Sequence, residues 1–172
     1  MADRPDFETG LGSSDRMEVR VWLRLLTCTN LLEAEVRQRL KQAADTTLPR
    51  FDILAQLERA GGPMSMGDLS RHLMVSNGNV TGLVDRLARE GLVERTASET
   101  DRRVQMVTLT DAGRAFFAEI AGEHRRWIGQ MMAGLSNTEM TTLYDLLARL
   151  KESILSAETP AGTGKNLEEA AE

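Results

Sequence analysis

Two groups of residues near the middle of the chain carry side chains suited to a polyanion and to the edges of nucleobases. Ser76, Asn77, Asn79, Thr81, Arg86 and Arg89 are interleaved with Gly78 and Gly82. Asparagine amides and arginine forks match the donor and acceptor pattern of base edges and phosphates, and glycines let a backbone approach closely. The second group is Asp101-Arg102-Arg103, preceded by Ser98 and Glu99. A planar guanidinium suits insertion into a narrow, negative minor groove, whereas a carboxylate does not touch DNA. Asp101 is therefore expected to hold an arginine of the wing or of the preceding helix in place by an ion pair. Catalytic and metal chemistry find no comparable pattern. His72 and His124 have no serine or cysteine arranged as a triad, no glycine-rich phosphate loop follows a strand, and a structural zinc site lacks soft ligands. The chain reads as a non-enzyme without metal or cofactor.

The elements that must position these groups follow from periodicity. Ser65-Met-Gly-Asp68 has capping-box spacing and opens a short helix that buries Leu69 and Leu73. After a turn at Met74-Val75, Ser76 caps a helix to about Arg89, with Val80, Leu83, Val84 and Leu87 as one buried stripe. The polar groups named above lie on its other face. Gly91 ends the helix, and Leu92–Thr96 and Val104–Leu109 alternate as two strands whose connecting loop holds the arginines. A helix-turn-helix followed by an arginine-tipped hairpin is a winged helix. The predicted fold is mainly α with a small β-wing, the DNA-reading part covering 47–109.

Longer helices flank this region. The first is predicted over about Met17–Ala43, with Val21, Leu25, Cys28, Leu32, Val36 and Leu40 at spacings of three and four. Val19, Trp22, Leu23 and Leu26 add a second stripe, and a helix that is apolar on two sides needs a second cover, such as a partner subunit. A helix from Pro49 carries Phe51, Leu54 and Leu57 inward and stops at Gly61-Gly62-Pro63. Thr110 caps another, with Phe116, Phe117, Ile120, His124 and Trp127. Ser136-x-x-Glu139 starts the last, whose stripe is Met140, Leu143, Leu147, Leu150 and Ile154. Residues 17–46 and 110–156 are assigned to a helical dimerisation region in a homodimer.

The chain has 172 residues and a formal net charge of −5, which looks wrong for a DNA binder until its location is considered. Residues 1–18 and 158–172 each carry −3, so the rest sums to +1. Residues 1–16 and 157–172 read as solvated tails. No apolar run approaches the roughly 20 residues that a membrane helix needs, and the N-terminus lacks a signal-peptide core. A cytoplasmic protein with no membrane association is expected. The one cysteine, Cys28, excludes an intrachain disulfide.

Taken together, Asn79-Val-Thr-Gly-Leu-Val-Asp-Arg-Leu-Ala-Arg-Glu-Gly-Leu-Val-Glu-Arg95, Asp101-Arg-Arg103 and Val107-Thr-Leu-Thr-Asp-Ala-Gly113 resemble the MarR-type winged-helix regulators. The resemblance runs over roughly Val19 to Leu155. It implies a homodimer made by the terminal helices, binding double-stranded DNA at a palindromic operator with half-sites about 34 Å apart. It also implies that Arg103 enters the minor groove, that Arg102 contacts the backbone, and that Ser76, Asn77, Asn79, Thr81 and Arg86 face the major groove.

Members of that family commonly release DNA when an effector binds or a cysteine is oxidised. A cleft among the first, second and fifth helices, lined by Trp22, Leu32, Phe51, Met66, Phe117 and Trp127, would suit a flat ligand. Arg37, Arg50 and His72 could meet its anionic group. Leu48-Pro-Arg-Phe-Asp52 together with Asn77-Gly-Asn-Val-Thr81 is similar to the branch sensing aromatic acids or their coenzyme A thioesters. The expected function is therefore a ligand-responsive repressor. Two alternatives stand beside it: a redox-sensing repressor acting through Cys28, and a winged-helix module for protein contact. Cys28 lies on the apolar stripe, where a buried, inert thiol is expected.

Overall fold

The computed structural model describes residues 16–74, 76–98 and 100–157, the side chain of Asn77 excepted. The two predicted tails fall almost wholly outside these residues, as do Val75 of the turn and Glu99 of the hairpin loop. Among the described residues, six helices and three strands follow in the order α1 (Met17–Ala44), α2 (Leu48–Ala60), β1 (Met64–Ser65), α3 (Met66–Leu73), α4 (Asn77–Arg89), β2 (Val93–Ala97), β3 (Gln105–Leu109), α5 (Asp111–Met131) and α6 (Asn137–Ala157). The fold is mainly helical with a small antiparallel sheet, as the sequence predicted. None of the described helices is long and apolar enough to cross a membrane.

Local chemistry accounts for the boundaries. Pro49 lies in the first turn of α2, and Gly61, at φ +65°, closes it in the left-handed region that glycine enters without strain. The Ser65 hydroxyl accepts the Asp68 N–H at 3.0 Å and donates to the Asp68 carboxylate at 2.6 Å, which starts α3. Gly91, at φ +73°, follows α4, and the Leu92 N–H returns to the Leu87 carbonyl. Thr110 Oγ1 accepts the Gly113 N–H at 2.9 Å to begin α5. Gly113 must be glycine, because a Cβ there would lie 1.9 Å from the Leu92 carbonyl oxygen.

The sheet has the order β1-β3-β2. Val93 pairs with Leu109 and Ala97 with Gln105 in the expected hairpin, while Met64 and Ser65 add a third strand against Val107 and Met106. That strand was not foreseen, since two residues are too few to show alternation.

Two compact units divide between Met131 and Met132. In the first, one apolar cluster joins α2, α3, α4 and the sheet through Ile53, Leu54, Leu69, Val80, Val84, Leu87 and Val107. A second joins α1, α2 and α5 through Val36, Leu40, Phe51, Ile120 and Trp127. Helix α2 contributes to both clusters. The first half of α1 stays uncovered in the single chain, with Trp22 60% exposed. Cys28 is exposed there as well, contrary to the expectation of a buried thiol, because no described element of the first unit covers that part of the stripe.

The second unit holds α6, begun by the expected capping box. The Ser136 N–H donates to Glu139 at 2.8 Å, and the Glu139 N–H returns to Ser136 Oγ at 3.3 Å. Hydrogen bonds from Ser136 hold the Glu139 carboxyl below its ordinary pKa. None of the α6 residues is buried in the single chain, including Leu143, Leu147, Leu150 and Ile154 of the predicted stripe.

Candidate nucleic-acid interface

Helix α4 owes its orientation to Val80, Val84 and Leu87, all fully buried, which leaves Gly78, Asn79, Thr81, Gly82, Arg86 and Arg89 exposed. Ser76 occupies the N-cap position, and its carbonyl accepts the N–H groups of Asn79 and Val80 at 3.1 and 3.2 Å. Its side chain makes no capping bond, so its hydroxyl is left on the same exposed end of the helix. Met74 makes the turn into α4 at φ +54°, a left-handed conformation uncommon outside glycine.

The wing is ordered by hydrogen bonds within its own loop. The Asp101 carboxylate accepts the backbone N–H of Arg103 at 2.9 Å, and the Asp101 carbonyl accepts the Val104 N–H at 2.9 Å. Asp101 thus shapes the loop through the backbone instead of the side-chain ion pair expected, because a carboxylate at the start of a tight turn finds the N–H two residues on. Arg102 and Arg103 are exposed and have no side-chain partner among the described residues. An ion pair does link the helix to the wing, but between Asp85 of α4 and Arg95 of β2. The sequence reading did not single out this pair.

A pocket of about 610 Å³ lies behind this surface. Glu33 and Arg37 of α1, Leu48, Pro49 and Asp52 of α2, Leu73 of α3 and Gly78, Asn79, Gly82, Leu83 and Arg86 of α4 line it. Arg37 donates to Glu33 at 2.9 Å. Burial, reinforced by the Glu33 charge and opposed by Arg37, pushes the Asp52 carboxyl up to about 6. No hydrogen bond or ion pair to Asp52 is formed among the described residues.

Of the nine residues singled out for a ligand, only Arg37 lines this pocket. Phe51 packs on Phe117 with ring centroids 5.5 Å apart and on His124 at 4.7 Å. Phe51 and Trp127 are buried in the α1–α2–α5 cluster with Phe117 packed against it, so the aromatic cleft expected among those helices is filled by its own side chains. Burial, helped by the Arg125 charge, lowers the His124 pKa. His72 is exposed, its ring bonded to the Asp68 carbonyl at 2.8 Å. Trp22 lies on the uncovered half of α1.

Arg50 is buried and faces a different, smaller pocket of about 340 Å³ lined by Ala44, Asp45, Arg50, Glu90, Leu92 and Phe116. Its guanidinium is paired with Glu90, just after α4, while its Nε is buried without a partner. Desolvation and the nearby Arg86 charge lower the Arg50 pKa.

The chain also has relatives whose nature is known. Residues 44–104 match the model of the MarR family. The chain is 36% identical over 132 residues to the transcriptional activatory protein BadR of Rhodopseudomonas palustris, a match covering 74% of this chain and 75% of that one. This chain belongs to the MarR family. A MarR family transcriptional regulator from Silicibacter pomeroyi superposes with a TM-score of 0.70 at 32% identity, over 84% of this chain and 99% of the other. A cysteine-to-serine mutant of MarR from E. coli, solved in complex with operator DNA, superposes at 0.68 with 26% identity, over 80% and 99%. MarR proteins are DNA-binding transcriptional regulators and not enzymes, and this chain is one of them.

Proposed function

We propose that two copies of this chain form a dimer that binds a palindromic operator and releases it when a small organic acid enters the pocket behind α4. In this reading Ser76, Asn77, Asn79, Thr81 and Arg86 face the major groove. Arg102 holds the backbone and Arg103 enters the minor groove. Residues 17–46 and 110–156 supply the dimer contacts. The uncovered apolar residues of α1 and α6 support the last assignment, because patches of that kind on a soluble chain mark an interaction surface.

What supports effector control is that α4, the helix read here as contacting DNA, also forms one wall of the 610 Å³ pocket, with Asn79 and Arg86 bordering it. A ligand that engages Arg37 and Arg86 competes with the duplex for the same helix, and the coupling is then reciprocal between the two sites. Leu48, Pro49, Leu73 and Leu83 give the pocket apolar surface for a ring. These features support an aromatic acid as the effector class, with its coenzyme A thioester as the larger variant. Repression follows where the operator overlaps a promoter. BadR bears the name of an activatory protein, which makes activation the second reading.

Titrating a labelled operator duplex with the protein, then adding benzoate-type acids or their thioesters, tests this. Release by either compound, lost in Arg37→Ala, supports the reading. Retention of DNA in the presence of both refutes the effector class. Fusing the operator-bearing promoter to a reporter decides the sign.

A further inference from the structure

The carboxylate of Glu90 stands between two arginines and is shared unequally. One oxygen is taken by Arg50, whose side chain is only 10% exposed. The other lies 3.9 Å from Nε of Arg86, beyond hydrogen-bond length, and Arg86 remains 66% exposed. Arg86 and Glu90 are one helical turn apart, the spacing at which such a pair ordinarily closes. Here the pair is a loose ion pair without a hydrogen bond, while Arg50 reaches the other oxygen of Glu90 from α2. Asp45, the other acid near Arg50, is already paired with Lys41.

We infer that Arg50 is a positioning residue for DNA binding: by holding Glu90, it keeps the Arg86 guanidinium off that carboxylate and available to the duplex. Without Arg50, Arg86 is the cation that remains paired with Glu90. A rotamer change then closes the gap to the roughly 2.8 Å of a charged hydrogen bond. Arg86 is thereby neutralised by its own helix and withdrawn from the DNA. The inference rests on the reading of Arg86 as a contact to the duplex, and it gives the seam between α2 and α4 a role that core packing alone does not.

The test uses the full chain and an operator duplex recovered by selection with the wild-type protein, with affinity measured at several salt concentrations. Each phosphate neutralised by an arginine adds about 0.9 to the slope of log affinity against log salt, or about 3.5-fold in affinity between 50 and 200 mM. Arg86→Gln is expected to lose one such contact, and Arg50→Met to lose a similar amount. Arg50→Met/Glu90→Gln should recover both the slope and most of the affinity, even if its melting temperature stays low. Should Arg50→Met alone fail to fold, the double variant, whose seam carries neither charge, supplies the readout by its slope. Damage to the fold alone would leave the double variant as weak as Arg50→Met, and that result overturns the inference. Loss in Arg86→Gln without loss in Arg50→Met overturns it too, leaving the Arg86 reading intact. No effect of Arg86→Gln removes that reading and the inference with it.

Discussion

Replacing Asp52 by asparagine should make the protein more stable near neutral pH and abolish one segment of its pH dependence. In the folded chain the carboxyl titrates at about 6, against 3.8 for the free group, chiefly because the pocket wall buries it and Glu33 stands nearby. A native state that holds its proton more tightly than the unfolded chain loses stability as pH rises from about 4 to about 6 and is level above that range. A sealed group with this shift would cost about 3 kcal/mol when ionised. The pocket admits water, so screening reduces the figure to about 1–2 kcal/mol. For a chain of this length that corresponds to roughly 2–8 °C in melting temperature.

The assay is urea unfolding of wild type and Asp52→Asn at a fixed protein concentration from pH 4 to 8, because a dimer's apparent stability depends on concentration. Taking the difference between the two proteins cancels the opposite slopes of Asp45, Asp68 and Glu139. The carboxyls of these three are held below their ordinary values by Lys41, by Ser65 and by Ser136, respectively. The curves should coincide near pH 4 and separate by pH 7, with the variant the more stable. Parallel curves over the whole range would mean that water reaches Asp52 freely, and would refute the reasoning.

Arg103→Ala should weaken operator binding by about tenfold with an unchanged melting temperature, since the side chain has no partner among the described residues; a gel-shift titration beside a thermal melt checks both. Asn79→Ala should alter the sequence preference recovered by selection more than it alters binding to random DNA, and an identical preference would count against its placement in the groove. Gly113→Ala should destabilise the fold by about 3 kcal/mol in denaturant titration, because its new methyl group meets the Leu92 carbonyl.

The DNA-reading half was legible because its signals are local. Ser65 with Asp68, the Val80-Val84-Leu87 stripe and the alternation on either side of Asp101 each specify an element within a few residues. Asp52 was not legible as a site residue, since its neighbours Glu33, Arg37 and Arg86 come from other helices and no spacing in the chain announces their meeting. Aromatic residues misled in the opposite direction. Phe51, Phe117 and Trp127 have the periodicity of a pocket lining, but the same periodicity makes a packed core. Arg50 was read as a candidate ligand contact on charge alone, whereas burial ties it to Glu90.

The central claim is that this chain reads duplex DNA as a symmetric dimer, and selection of bound sequences from a random duplex pool at two salt concentrations tests it most directly. The account predicts enrichment of a palindrome with half-sites about one helical turn apart, and weaker recovery at the higher salt. Enrichment of a single, non-repeated half-site, or no enrichment at either salt, would contradict it.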